Sequence, residues 1–231
     1  MTIRLVSLDM AGTTIDEGGV VYDVLASSVA NAVGRPVPSE MLAAWTGTDK
    51  REAIIGLLTD LGADPGRADE VFAAFSGRLD DAYAATPAQL FPGVRKAVRR
   101  LRKRGVKVAL QTGYTRAVAE PLLVAAGWRI GEDIDALVTA DDVTASRPAP
   151  YLVFRTMEAT GVRSVAEVLV AGDTANDLGA GVNAGARYVV GVLTGAADAA
   201  RLGRHPHTHL LPGVADIPAL LQDADEFSDE G

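Results

Sequence analysis

The chain has 231 residues, of which 48% are apolar and 23% are charged, as is ordinary for a globular protein with a sizeable core. Its formal net charge of -8 argues against partners such as nucleic acid or an acidic membrane surface. It has no cysteine, which excludes a disulfide framework and a cysteine nucleophile. Because no apolar run approaches ~18 residues and no signal-peptide core is seen, we expect a cytoplasmic protein without a membrane partner.

The first strand predicted along the chain is an apolar run over residues 3–8 that ends abruptly at Asp9. A carboxylate at the end of a central strand, followed by a turn of small residues, is where α/β proteins place chemistry. Asp9 could attack phosphorus, while the amides around Gly12 and the hydroxyl of Thr13 or Thr14 could cradle a phosphoryl group. The same pattern is also typical of an aspartate that only caps a turn.

The next segment has a purely helical character. Apolar residues at three- and four-residue spacing predict helices over residues 20–32, 39–45, 49–61 and 67–84, with Ser39 as the N-cap of the second. Strand patterns flank this segment on both sides. We therefore expect a helical cap domain over residues 17–87, inserted into a catalytic core formed by residues 1–16 and 88–231.

Strands and helices alternate from about residue 91 onwards. Strands are predicted over residues 106–112, 134–138, 166–171, 187–192 and 208–211, each joined to the next by a helix or loop. Crossovers of this length predict an α/β fold with a doubly wound, mostly parallel sheet. The basic residues on the helix after Gly93 are expected to form a solvated face, and the acidic tail over residues 223–231 is expected to fray.

Polar side chains stand at the predicted ends of three strands and in one loop: Asp9, Thr112, Arg147, Asp173 and Asp177. Because parallel strands share one carboxyl-terminal edge, we expect these side chains to converge. Two carboxylates side by side would repel, and a divalent cation relieves that repulsion. Magnesium suits such a site, since it binds carboxylates together with water and substrate oxygens.

This ordered set resembles the haloacid dehalogenase superfamily of phosphoryl-transfer enzymes, and the resemblance covers nearly the whole chain. It implies that Asp9 is the nucleophile, that Thr112 holds a phosphoryl oxygen and that Arg147 is the cation. The metal ligands it implies are Asp9, the backbone carbonyl of Ala11, Asp173 and Asp177. The substrate or phosphate contacts it implies are Ala11, Gly12, Thr13, Thr112, Gly113 and Arg147.

One position departs from the phosphatases of this superfamily. They place a second aspartate two residues after the nucleophile to protonate the leaving alcohol, and Ala11 stands there instead. The phosphonoacetaldehyde hydrolase branch also carries alanine there and has similar segments at residues 9–14 and 112–116. That branch cleaves a carbon–phosphorus bond through a Schiff base on a cap lysine, and the matching residue is Lys50. The match is incomplete, because the branch has a histidine where Ala53 stands and a methionine where Thr46 stands.

Several functions therefore remain open. The leading hypothesis is a magnesium-dependent hydrolase of a small phosphonate that uses an aspartyl-phosphate. The alternative is a phosphatase or phosphomutase acting on a small phosphate monoester, with Asp16, Asp49 or a cap residue supplying the proton. A phospho-ligand binding protein is a third hypothesis, and a dehalogenase is the least favoured. The resemblance also makes a homodimer possible. The histidines at 205, 207 and 209 are more typical of a last strand and its loop than of a metal site.

Overall fold

The computed structural model describes residues 2–85 and 88–226. Its strands are β1 (Leu5–Asp9), β2 (Ile15–Asp16), β3 (Gln89–Leu90), β4 (Lys107–Gln111), β5 (Ala136–Val138), β6 (Val168–Gly172), β7 (Tyr188–Val192) and β8 (His209–Leu211). Its α-helices are α1 (Val20–Val33), α2 (Ser39–Ala44), α3 (Lys50–Asp60), α4 (Ala68–Ala85), α5 (Val94–Lys103), α6 (Arg116–Ala125), α7 (Tyr151–Thr160), α8 (Ala175–Ala184), α9 (Ala199–Leu202) and α10 (Ile217–Glu226).

The main sheet has six strands in the order β5–β4–β1–β6–β7–β8, and every neighbouring pair in it is parallel. Alternate residues of β1 face opposite sides: Val6 and Leu8 join a core with α5 and α10, whereas Leu5 joins a core with α7 and α8. Both faces are therefore buried, which is why the strands are continuous apolar runs. The prediction of a doubly wound α/β fold is confirmed.

Helices α1 to α4 lie between β2 and β3, which pair antiparallel as a short ribbon. Their shared core includes Leu25 of α1, Leu57 of α3 and Phe75 of α4, each no more than 1% exposed. The helical segment thus has the position expected for an inserted cap. The exact domain boundaries, with residues 1–16 and 88–231 in the core and residues 17–87 in the cap, stay a prediction. Residues 86 and 87 lie outside the described residues.

Three local expectations need correction or a limit. Ser39 is the first residue of α2 and not its cap: Pro38 holds that position, without a side-chain bond. The chain re-enters extended structure at Gln89, before Phe91, because it pairs there with Ile15–Asp16. Helix α10 continues through Glu226, past the predicted start of the frayed tail, and residues 227–231 of that tail lie outside the described residues.

Within the described chain, no helix combines the length and the apolar character needed to cross a bilayer.

Candidate active site

The carboxyl-terminal edge of the sheet brings three acidic side chains together. Asp9 is the last residue of β1, Asp173 directly follows β6, and Asp177 lies in the first turn of α8. All three are buried, and each offers a ligand atom within 4.8 Å of the others. The parallel pairing of β1 with β6 sets the two strand ends level, as the sequence predicts.

Asp177 is held in place by the start of its own helix. The Thr174 hydroxyl accepts the Asp177 amide at 3.3 Å, and Asp177 Oδ2 accepts the Thr174 amide at 3.1 Å. This reciprocal capping box fixes the first turn of α8. The second carboxylate oxygen, Oδ1, faces the centre of the acidic cluster, where it binds Arg147.

Arg147 is the cation of this cluster and is 2% exposed. Its Nη1 donates to Asp9 Oδ1 at 2.7 Å and also to Asp177. Its Nε is buried and has no partner among the described residues. Three carboxylates around one guanidinium leave the cluster with a formal charge of -2 when all are ionised.

Asp173 forms no ion pair with a described cation. It accepts the Thr13 hydroxyl at 2.9 Å and the Ala196 amide at 2.7 Å. Burial, and next the charge of Asp9, raise the pKa of Asp173 to about 6. Hard oxygen donors that converge and repel one another fit a bound divalent cation.

The turn after β1 differs in detail from the expected phosphate cradle. The Gly12 amide donates to the Ile15 carbonyl at 2.9 Å and the Thr13 amide donates to the Met10 carbonyl at 3.3 Å. Gly12 has a φ of 82°, and a Cβ there would press on the Asp173 carboxylate. These groups close the turn and orient Asp173, so their role in binding phosphate stays a prediction.

Thr112 and Gly113 lie where β4 ends beside Asp9. Thr112 is buried, and its hydroxyl accepts the Tyr114 amide at 3.1 Å. A Cβ on Gly113 would collide with the Thr48 carbonyl, so only glycine lets the loop before α3 approach this edge. The loop before α3 therefore lies directly against the end of β4.

Other contacts keep the same loop on the core. The Asp49 amide donates to the Ser146 hydroxyl at 2.8 Å, and Asn176 Nδ2 donates to the Thr46 carbonyl at 2.7 Å. Asp49 also caps α3 by accepting the Glu52 amide at 2.8 Å. This cap fixes the first turn of α3, where Lys50 begins the helix.

Lys50 points into the protein and is only 4% exposed. Its Nζ donates to the Thr48 carbonyl at 2.9 Å and lies 5.2 Å from the ring centroids of both Tyr22 and Tyr114. Burial, and then the positive charge of Arg147, lower the pKa of Lys50 to about 8. The structure therefore places, near the acidic cluster, an amine that loses its proton at a lower pH than an ordinary lysine does.

Sequence reasoning missed the polar and aromatic neighbours of this amine. They are Glu17 and Tyr22, and Tyr83 is bonded to Glu17; all three lie between β2 and β3 in the chain. Tyr114 falls inside the segment that resembles the second motif, but the sequence has no signal for the others. Ala53, at the position where the phosphonoacetaldehyde hydrolase branch has a histidine, is fully buried in α3.

The histidine run does not build a metal site with other described side chains. Among all described residues, three or more potential metal ligands come together only at the cluster of Asp9, Asp173 and Asp177. His209 lies in β8, and its ring is tilted by 60° against the Tyr188 ring, with ring centroids 5.6 Å apart.

The parallel core, the helical insert and the acidic edge define a hydrolase of the haloacid dehalogenase type. The family described as haloacid dehalogenase-like hydrolase matches residues 3–185, and this chain belongs to it. Phosphonoacetaldehyde hydrolase of Bacillus cereus strain B4264 is 31% identical over 212 residues, which cover 86% of this chain and 78% of the relative.

Two solved structures share the fold. A phosphonoacetaldehyde hydrolase-like protein from Oleispira antarctica superposes with a TM-score of 0.85 at 23% identity, covering 98% of this chain and 94% of that one. A β-phosphoglucomutase from Clostridium difficile superposes with a TM-score of 0.77 at 15% identity, covering 98% of this chain and 99% of that one. At these identities the likeness establishes the architecture alone.

Proposed function

We propose that this chain is a magnesium-dependent hydrolase that cleaves the carbon–phosphorus bond of phosphonoacetaldehyde. The observation that carries the proposal is the buried amine of Lys50, whose pKa of about 8 lies well below the usual 10.5. A lysine needs a neutral amine to attack a carbonyl, and burial makes that form accessible near neutral pH. The relative from Bacillus cereus that is named phosphonoacetaldehyde hydrolase supports the choice of substrate.

The amine would make the carbon end of the substrate a competent leaving group. Lys50 attacks the aldehyde carbon, water departs, and an iminium forms two bonds from phosphorus. When the carbon–phosphorus bond breaks, its electron pair moves into this iminium and leaves a neutral enamine. Water then supplies the proton that the enamine carbon takes, and hydrolysis of the imine releases acetaldehyde and restores Lys50.

Asp9 would accept the phosphoryl group, while Lys50 acts on the aldehyde end of the substrate. Its carboxylate attacks phosphorus and forms an aspartyl-phosphate, which water hydrolyses to phosphate. Arg147 holds Asp9 through its Nη1, and its buried Nε is an unused donor at the same place. That donor is available to a phosphoryl oxygen.

The acidic cluster fits the proposed magnesium ion, because its oxygens converge and carry more negative charge than Arg147 neutralises. The residues that would hold the ion are Asp9, Asp173 and Asp177, together with the carbonyl of Ala11. When bound, the ion would supply the Lewis acid that offsets charge on the phosphoryl oxygens.

Alanine at position 11 is compatible with this chemistry. A phosphatase needs an acid near the departing alkoxide oxygen, whereas an enamine departs from carbon and needs no proton on oxygen. The loss of the second aspartate therefore removes a group that carbon–phosphorus cleavage does not use at that step.

The alternative is a phosphatase or phosphomutase acting on a small phosphate monoester. The alanine at position 53 and the threonine at position 46 favour keeping it, because both replace residues of the phosphonoacetaldehyde hydrolase branch. In that case Lys50 would contribute only its charge.

The test is the release of phosphate and acetaldehyde from phosphonoacetaldehyde, with Mg²⁺ and with EDTA. We expect release that depends on the metal, and a borohydride-reduced adduct on the peptide that contains Lys50. The matched variant is Lys50→Arg, which keeps the charge and cannot form the imine. Equal activity in this variant, or no release by the folded, metal-loaded protein, would reject the proposal and direct the search to phosphate monoesters.

We also propose, from the sequence, that the protein is cytoplasmic and forms a homodimer. Light scattering of the purified protein measures the second directly.

A further inference from the structure

Glu17 is a buried carboxylate that the chemistry described above does not use. It directly follows β2, at the point where the chain leaves for α1, and is 4% exposed. Its Oε2 accepts the Tyr83 hydroxyl at 2.8 Å and the Val21 amide at 3.3 Å. No ion pair joins Glu17 to a cation among the described residues. A buried carboxyl group without a cationic partner requires an explanation.

The side chain lines a cavity that reaches the acidic cluster. This cavity has a volume of about 380 Å³, and Ala11, Gly12, Asp173 and Tyr22 also line it. Glu17 thus shares open space with the residues proposed to hold the metal and the phosphoryl group. A small aldehyde in that space could touch it.

Glu17 is also coupled to Lys50. The negative charge of Glu17 favours the protonated amine, and the positive charge of Lys50 favours the ionised carboxylate. Two tyrosines link these groups. The Tyr83 hydroxyl donates to Glu17 and lies 3.4 Å from the Tyr114 hydroxyl. The ring of Tyr114 in turn faces the Lys50 amine. Lys50 does not itself line the cavity, but its Nζ lies 5.2 Å from the ring of Tyr22, which lines the cavity together with Glu17. No salt bridge joins Glu17 and Lys50 among the described residues.

Resting on the proposed function, we infer that Glu17 is the proton-transfer group of the imine steps at Lys50. During imine formation the Lys50 nitrogen bonds to the aldehyde carbon, and the carbonyl oxygen leaves as water. That water takes one proton from the amine and one from the Glu17 carboxyl group, which leaves a protonated imine and a carboxylate. In the final hydrolysis the carboxylate takes a proton from the incoming water, so the cycle returns Glu17 to its starting form.

The surroundings of Glu17 suit this task. Its desolvation raises the pKa of Glu17, against the lowering by its bonds to Tyr83 and Val21. The titratable groups that face it are Asp16 at the end of β2, Tyr83 on α4, Tyr114 just before α6 and Lys50 on α3. Burial keeps a carboxylic acid protonated closer to neutral pH, where it can donate.

Other carboxylates are less suited, and Asp9, which is also coupled to Lys50, is the proposed nucleophile. Asp49 caps α3 through the Glu52 amide, and Asp16 is exposed and accepts the Gly18 amide at 3.0 Å. Ala11 and Ala53 carry no exchangeable proton. Glu17 combines burial, access to the cavity and coupling to the amine.

The experiment isolates the imine step with acetaldehyde, which contains no phosphorus. Wild type and Glu17→Gln are incubated with acetaldehyde and cyanoborohydride, and the rate of ethyl addition to Lys50 is followed by peptide mass. The same proteins are then assayed for phosphate release from phosphonoacetaldehyde between pH 6 and pH 9. The matched control is Glu40→Gln, which removes an exposed carboxylate on α2.

We expect Glu17→Gln to slow both reactions roughly 100-fold, within the range for a lost general acid, while Glu40→Gln matches wild type. Formate added to Glu17→Ala should restore part of the rate, which a merely structural role would not produce. If Glu17→Gln does not fold, the formate rescue of Glu17→Ala still tests the inference.

The outcomes separate this inference from the proposed function. If wild type forms the adduct and releases phosphate, but Glu17→Gln does so equally fast, Glu17 has no role and the proposed function stands. If Asp16→Asn slows adduct formation and phosphate release and Glu17→Gln does not, the assignment of Glu17 is overturned in the same way. If wild type forms no adduct on Lys50 and releases no phosphate, both fail.

Discussion

Replacing Lys50 with methionine should make the protein more stable while removing the proposed activity. The lowered pKa means that keeping the Lys50 amine protonated in the folded state reduces the free energy of unfolding. The pKa falls from 10.5 to about 8. Because one pKa unit corresponds to about 1.4 kcal/mol, this cost is about 3 kcal/mol at neutral pH.

Methionine has a similar length and removes the charge. It also removes the hydrogen bond to the Thr48 carbonyl, which is worth about 1 kcal/mol. The net expectation is that Lys50→Met raises the free energy of unfolding by about 2 kcal/mol at pH 7. For a chain of this size that corresponds to a rise in Tm of about 4–8 °C.

The pH dependence gives the sharper test. Between pH 8 and pH 10.5 the unfolded lysine binds more protons than the folded one, so the stability of the wild type rises with pH. Lys50→Met has no such group. Its advantage over wild type should therefore shrink by about 2 kcal/mol between pH 7 and pH 9.5.

The assay is urea unfolding of both proteins at the two pH values in EDTA, so that no bound cation contributes. The matched control is Lys96→Met, which changes an exposed lysine on α5 and should shift stability by less than about 0.5 kcal/mol. A variant less stable than wild type at pH 7, or an advantage that does not change with pH, would refute the reasoning about the buried amine.

Three other changes test the acidic edge and the cap. Asp173→Asn removes a carboxylate whose pKa burial and Asp9 raise from 3.8 to about 6, which costs about 3 kcal/mol when it is ionised. Because about 1 kcal/mol of hydrogen bonding is lost with it, denaturant titration in EDTA should show a net gain of about 2 kcal/mol above pH 6. The gain should disappear as the pH falls towards 4, and its persistence there would contradict the assignment. Arg147→Met strips the carboxylates of their buried cation and should cost about 3–5 kcal/mol in the same titration; a neutral effect would mean that the pairing is unimportant. Gly113→Ala presses a methyl group on the Thr48 carbonyl, so kcat/KM for phosphate release should fall roughly 100-fold, whereas unchanged kinetics would show that this approach is not needed.

The sequence by itself determined the sheet and the edge at which the candidate site lies. Apolar runs broken by helical periodicity are local signals, and parallel strands necessarily bring their carboxyl ends to one edge. That is why the sequence alone predicts that Asp9, Asp173 and Asp177 lie together. Lys50 was found differently, through the resemblance of the segment around it, because a lone lysine at the start of a helix is usually solvated.

Only the tertiary structure decided what surrounds these groups. The pKa of Lys50 depends on burial under the cap and on Arg147, which lies almost a hundred positions away in the chain. The bond between Glu17 and Tyr83 joins residues 66 positions apart, and Thr13 turns out to hold Asp173. Such contacts arise from the packing of the helical segment against the sheet edge. No local periodicity encodes them, because desolvation and charge coupling depend on distance in space and not on separation along the chain.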